Sequence, residues 1–310
     1  MKTPVRGRVL NAFAILLVAA PLMAAVAGSI LGAGVLHPMN LNPLRTTQTE
    51  DTLKRTGASK EDFDVTTPDG TVLRGWKIRP RAANGDWILL FHGVSDNRTG
   101  TLGHAEFLLR HGYSVIMMDS RAHGESGGSM ATYGWRERYD TVAVSHALCS
   151  SESVRHLGAL GVSMGAAIAL QSAAVDPQIE AVAAEDPFAN LREVSYDYGG
   201  LDFSPLLGKT LFRPATIVAL YEIARDGHFD PDAVSPMRAV AARPFPVLLV
   251  CGTRDHRIPC RHAEAIYRAA TGPKELWIVE GAGHASALGR APEQYEVRIT
   301  RFFARAFAAE

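Results

Sequence analysis

The chain has 310 residues, 47% hydrophobic and 21% charged, which is enough apolar material for one large core and excludes a disordered chain. Thirty-two basic residues balance 32 acidic ones without any Lys/Arg run, so nothing points to a nucleic-acid partner. Three scattered cysteines are too few for a disulfide scaffold or a Cys-based zinc site.

Lys2, Arg6 and Arg8 precede an uncharged stretch over residues 9–36. A helix needs about 20 apolar residues to cross a bilayer, so this stretch is long enough to span with some tilt. Two readings fit residues 1–36. One is a retained membrane anchor. The other is a cleaved signal peptide with Ala25-Val26-Ala27 as a small-residue cleavage site and Gly28 as the new N-terminus. Apolar sequence continuing to Leu36 favours the anchor, since a mature soluble N-terminus has no evident reason to keep it. In both readings the basic flank stays inside and the remainder lies outside the cytosol. Residues 37–62, with Pro, Asn, Thr and mixed charge, read as a stalk and lead-in.

The next part, 63–308, is regular. Short apolar or alternating runs at 63–67, 72–78, 87–91, 114–119, 157–162, 181–185, 247–251 and 275–279 predict eight strands, with a hairpin turn at Asp69-Gly70 between the first two. Helical patterns at 99–110, 134–149, 163–175, 261–270 and 292–308 separate the later runs. That alternation predicts an α/β fold: a mostly parallel eight-stranded sheet with helices on both faces and an antiparallel start. Residues 191–243 break the alternation and are too long for a plain loop, so they read as a small cap inserted over the sheet. Its Tyr196, Tyr198, Phe203, Phe212, Tyr221 and Phe229, with Leu206, Leu207, Leu211, Ile217 and Leu220, are expected to roof an acyl pocket or to hold the cap to the core.

Gly161-Val162-Ser163-Met164-Gly165 falls where a strand turns into a helix. A turn that sharp leaves no room for side chains two before and two after the serine, hence Gly161 and Gly165, and it exposes the hydroxyl at the helix start. Serine needs a base to become a nucleophile. His284, after the last strand in Gly281-Ala282-Gly283-His284, falls on the same carboxyl edge of the sheet. His104, His111, His146, His156 and His262 fall in or near helices and are expected at the surface, and His256 on an exposed loop. Asp255, leaving the preceding strand, is the expected partner of His284, with Asp186 as the alternative acid. The backbone N–H groups of Met164 and Val94 are the expected oxyanion donors.

These pieces, with His92-Gly93, Ile258-Pro259 and the loop Asp119-Ser120-Arg121-Ala122-His123-Gly124-Glu125-Ser126, resemble the α/β-hydrolase fold superfamily over about residues 60–308. The common form of that loop has Gly where Ala122 stands, a change read as packing, and Asp119, Arg121 and His123 there read as structural. With its N-terminal segment the chain is most similar to membrane-anchored bacterial and Bem46-like hydrolases. The resemblance implies serine-hydrolase chemistry and gives little guidance on substrate; with Ser163, His284 and Asp255 and an apolar cap, the chain reads as acting on an ester or related acyl bond of a small-molecule or lipid-like substrate. A peptidase or acyltransferase on the same residues, or a non-catalytic receptor or scaffold on a degenerate fold, are the rivals. No cofactor is expected, and no metal, because no H-E-x-x-H, paired Cys-x-x-Cys or calcium loop occurs. Cys251 and Cys260 fit either a disulfide across the acid loop or two buried thiols.

Overall fold

Side chains alternate along each central strand, so every strand serves two cores at once. We describe the fold from a computed structural model that covers residues 4–40, 42, 44–200 and 204–308, with side chains from residue 19 onward. Lys2 and Phe203 lie outside the described residues. The chain opens with α1 (Pro4–Leu36), α2 (Thr46–Thr56) and β1 (Ser59–Asp62), then a hairpin of β2 (Val65–Thr66) and β3 (Val72–Leu73) turning at Asp69-Gly70. There follow β4 (Gly75–Arg79), β5 (Trp87–Phe91), α3 (Leu102–Arg110), β6 (Ser114–Met118), α4 (Glu137–Ser151), β7 (Leu157–Val162), α5 (Met164–Val175) and β8 (Ala181–Glu185). The stretch over the sheet edge folds as α6 (Leu191–Tyr198), α7 (Pro205–Lys209), α8 (Arg213–Gly227) and α9 (Pro236–Ala242). Strand β9 (Val247–Gly252), α10 (Arg261–Ala269), β10 (Lys274–Val279), α11 (Ala287–Arg290) and α12 (Pro292–Ala306) complete it.

The eight-stranded sheet runs β1-β4-β6-β5-β7-β8-β9-β10. Strand β4 is antiparallel to both neighbours, and every pairing from β6 to β10 is parallel. Leu89, Ala159, Val182 and Leu249 face α4, α5, α9 and α10, while Ile88, Leu90, Leu160 and Leu248 face α3 and α12. The order reverses at β5, which has β6 on one side and β7 on the other. The carboxyl ends of β5 and β7 therefore flank a crevice of the kind where open α/β sheets bind ligands.

Three expectations need correction. The first strand of the sheet is residues 59–62, not 63–67; residues 65–66 belong to the separate hairpin. Strand β1 is Ser-Lys-Glu-Asp with all four residues exposed. It is an edge strand held by backbone pairing and its charges suit an edge, so apolar periodicity could not reveal it. Residues 37–62 are likewise more than a stalk, because α2 docks on α3: Arg55 Nη2 lies 2.7 Å from Glu106 Oε2, and Leu53 packs on the core.

His104 and His262 are buried, contrary to the expectation for helical histidines. His104 Nε2 lies 3.1 Å from the Tyr295 hydroxyl, which itself donates to Glu185 at 2.8 Å. His262 Nε2 meets Asp197 Oδ2 at 2.8 Å, and its Nδ1 accepts from the Ala189 N–H at 3.3 Å. Asp197, fully buried on α6, also pairs with Arg261 of α10 and with Lys209 of α7 at 3.2 Å. Burial would raise its carboxyl, but the hydrogen bond from His262 and the charges of Arg261 and His262 hold it below the usual carboxylate range. This cluster ties the helices over the sheet edge to the main body. Asp197→Ala should therefore cost about 3 kcal/mol, the lower end for breaking a buried pair since Arg261 and Lys209 are partly solvated. Denaturant unfolding would detect it; a loss under about 1 kcal/mol would mean that the cluster does not hold the cap.

Candidate active site

Ser163 sits between β7 and α5 with φ 57° and ψ −118°, a left-handed conformation that a non-glycine residue rarely adopts. The turn is tight on both sides. A Cβ on Gly161 would lie 2.3 Å from the Gly165 carbonyl oxygen, and a Cβ on Gly165 would lie 2.3 Å from the Phe91 carbonyl oxygen. The first glycine thus relieves contact within the turn, and the second lets α5 press against the end of β5. The Ser163 N–H donates to the Glu185 carbonyl at 2.8 Å, which fastens the turn to β8.

His284 follows β10. Its Nε2 lies 2.8 Å from Ser163 Oγ and its Nδ1 lies 2.7 Å from Asp255 Oδ2. Asp255 is buried, and its Oδ1 accepts from the N–H groups of Arg257 (2.8 Å) and Ile258 (2.9 Å). Those bonds fix the carboxylate so that Oδ2 faces the imidazole. With Nδ1–H donating to Asp255, Nε2 is free to accept the serine proton.

Asp186, the alternative acid, stands 3.9 Å from His284 Nδ1. Its oxygens instead accept from the Gly252 N–H at 3.2 Å and the Ala285 N–H at 2.7 Å. Burial, then the charges of Glu185 and Asp255, push its carboxyl up to about 7. Two carboxylates cannot both ionise cheaply beside one imidazole. The geometry puts Asp255 in hydrogen bond with the imidazole and leaves Asp186 to brace the backbone that carries His284. For His284 itself, burial favours the neutral ring, but the hydrogen bond it donates to Asp255 and the charges of Asp255 and Asp186 outweigh it and raise its pKa. Asp186, Asp255 and His284 are also close enough together to suggest a cation site, yet their oxygens and nitrogens already face N–H donors and the serine.

The loop after β5 comes alongside: a Cβ on Gly93 would meet Ser163 Cβ at 3.8 Å. Val94, Ser163 and Met164 line one cavity. Met164 opens α5, and first-turn N–H groups of a helix have no intrahelical acceptor, so its amide is available to an anion. Sequence reasoning missed the part His92 plays in this loop. Its Nε2 accepts from the Ser120 N–H at 3.0 Å, so Nδ1–H donates to the Gly93 carbonyl at 2.7 Å. Burial, assisted by His123 nearby, lowers its pKa to about 3, so the ring stays neutral and clamps the peptide next to Val94.

The 119–126 loop is structural, as read. Asp119 accepts from the Arg98 and Glu125 N–H groups, and Arg121 is paired with Asp140 and Asp69. Ala122 has φ 58°, which explains why glycine suits that position and adds a steric reason to the packing one.

Cys251 and Cys260 form a disulfide that closes the loop carrying Asp255. A loop of this size stabilises by roughly 2–3 kcal/mol. Dithiothreitol should lower the denaturation midpoint of the wild-type protein and leave a Cys251→Ala/Cys260→Ala double variant unaffected. Equal midpoints with and without reductant in the wild type would mean that the bond does not stabilise the loop.

The profile of the alpha/beta hydrolase family matches residues 88–296. Among curated proteins, YqkD of Bacillus subtilis is 28% identical over 250 residues, covering 78% of this chain and 79% of its own length. YfhR of Salmonella typhimurium is 28% identical over 270 residues, covering 82% and 85%; both relatives are uncharacterized. The solved structure of the Pyrococcus furiosus esterase Pf2001 superposes with a TM-score of 0.69 at 23% identity, covering 87% of this chain and 97% of that one. The acylaminoacyl peptidase of Pyrococcus horikoshii gives 0.61 at 17% identity, covering 81% and 42%. At those identities the superpositions speak for the fold, and both an esterase and a peptidase share it. The profile match, over most of the chain and spanning Ser163, Asp255 and His284, makes this protein a member of the alpha/beta hydrolase family.

Proposed function

We propose that the chain is a serine hydrolase of esters or related acyl bonds, tethered by its N-terminal helix on the outer face of a membrane, as in the membrane-anchored and Bem46-like branch. The observation that carries this reading is the hydrogen-bonded line Ser163–His284–Asp255 beside an apolar cavity. Ser163 Oγ attacks the acyl carbon while its proton passes to His284 Nε2, and the ring then bears a positive charge facing Asp255. The N–H groups of Val94 and Met164 hold the oxyanion. Collapse expels the alcohol, which takes the proton from His284. Water then attacks the acyl-enzyme with His284 again as base, and the acid leaves with Ser163 restored. One ester and one water give one acid and one alcohol.

The tether is supported by the uncharged run over residues 9–36, whose Ala19–Leu36 part has a mean hydropathy of 1.9 and whose part before Gly28 is left to enter the bilayer. The Cys251–Cys260 disulfide supports an oxidising compartment. The peptidase reading differs only in the leaving group, and the ratio of ester to amide turnover decides between them.

Ser163→Ala and His284→Ala should each lose several orders of magnitude in kcat while remaining folded, because the pair acts as one unit. Retention of more than about a tenth of wild-type activity by Ser163→Ala would sink the reading. Asp255→Asn should be severe, about 10⁴-fold, and Asp186→Asn much milder; the reverse order would transfer the charge to Asp186.

The base must be neutral to accept a proton. Wild-type kcat/KM should therefore rise with pH through a limb above the ordinary histidine value of about 6.5. Asp255→Asn removes the charge that holds the proton on His284, so its residual activity should show the limb at lower pH. A limb left in place would mean that Asp255 does not set the histidine.

A further inference from the structure

The cavity at Ser163, about 180 Å³, is walled on its far side by Leu31 and Val35 of α1, facing Thr216, Ala219 and Ile223 of α8. Helix α1 reaches that position through backbone-close packing on α8. A Cβ on Gly28 would lie 2.4 Å from Val218 Cβ and 2.5 Å from the Ala215 carbonyl oxygen, and one on Gly32 would lie 2.8 Å from Glu222 Cβ. Beyond the cavity the end of α1 is fastened to the main body: Leu36 is buried, its carbonyl accepts from the Ala131 N–H at 2.8 Å, and the Tyr133 hydroxyl donates to the Val35 carbonyl at 3.0 Å.

The register has a direction. Gly28 meets Ala215 and Val218, and Gly32 meets Ala219 and Glu222, so the two helices run parallel. The start of α8 and the preceding turn therefore lie toward the long apolar part of α1, and there Leu206, Leu211 and Ile217 are exposed. Leu22, Met23, Val26 and Ile30 are exposed on α1 itself. Glu222, Arg225 and Asp226, which pair among themselves, lie at the opposite end of α8. Exposed apolar side chains and the basic groups of Arg213 and Lys209 thus lie at the end toward the apolar part of α1, as suits a headgroup boundary, and the Glu222, Arg225 and Asp226 cluster lies at the other.

We infer that α1 is a wall of the acyl pocket as well as a tether, and that the substrate is a long-chain ester resident in the bilayer, the first carbons of its acyl chain held against Leu31 and Val35 of α1 and Ala219 and Ile223 of α8. The inference rests on the ester-hydrolase reading and names its substrate class. The cavity would be open on one side without residues 28–36, which gives the apolar run to Leu36 a use whether or not the chain is cut before Gly28.

Two measurements on the full chain in phosphatidylcholine vesicles test this. The first is the chain-length profile of kcat/KM for p-nitrophenyl esters, wild type against Leu31→Trp. The bulkier side chain should fill the far end of the pocket and move the optimum to acyl chains at least two carbons shorter; an unaltered profile would remove α1 from the pocket. The second dilutes 4-methylumbelliferyl palmitate with inert phospholipid at constant bulk concentration. Turnover should fall in proportion to its mole fraction in the bilayer, and turnover that follows bulk concentration would mean that the ester arrives from water. A wild-type protein that hydrolyses no ester would instead overturn the ester-hydrolase reading, so the two failures are distinct.

Discussion

The left-handed backbone at Ser163 is the constraint on which the site is built. A serine at φ 57° is strained, and the strain persists only because the surroundings over-determine it. Strand β7 holds the residues before it in the centre of the sheet, α5 starts immediately after it, and its own N–H is bonded to the end of β8. Gly161 and Gly165 then follow from contact distances rather than from chemistry, since any side chain at either would strike a carbonyl. The result is a hydroxyl lifted clear of the sheet beside the first amide of a helix.

Around that hydroxyl the sheet edge arranges three acidic or basic groups by depth. Asp255 receives two backbone N–H groups and faces the imidazole; Asp186, deeper and beside Glu185, is driven toward its neutral form and bonds to the loop of His284. One charge near one imidazole is favourable where two would not be. The disulfide across residues 251–260 and the neutral His92 do comparable work on either side, each holding a loop whose backbone must be placed to a few tenths of an ångström.

What could be read in the sequence was what chemistry demands residue by residue. Ser163 with its flanking glycines, His284 and Asp255 stand in contexts that few other requirements produce, and the parallel strands announce themselves through apolar runs. What could not be read depends on pairing across the chain. Strand β1 has no apolar side and exists through its register with β4. The burial of His104 and His262 follows from partners at Glu185, Tyr295 and Asp197, far away in sequence. The pocket shows the same limit. Of the aromatic and aliphatic residues expected to roof Ser163, Tyr198 lines the cavity, while Leu206, Leu211, Ile217 and Tyr221 face outward. The cap still lines the cavity, but largely through Leu191, Val194, Thr216, Ala219 and Ile223 of α6 and α8, and Leu31 and Val35 join them from a helix that reads in isolation as anchor or signal.

The claim beneath all of this is that Ser163 is a nucleophile activated by His284. The most direct measurement is to treat the intact full-length protein with an alkyl fluorophosphonate and locate the adduct by peptide mass spectrometry. A single adduct on Ser163, formed at least a hundredfold more slowly in His284→Ala, is the predicted result. No adduct on folded protein, or an adduct on another residue, would contradict it.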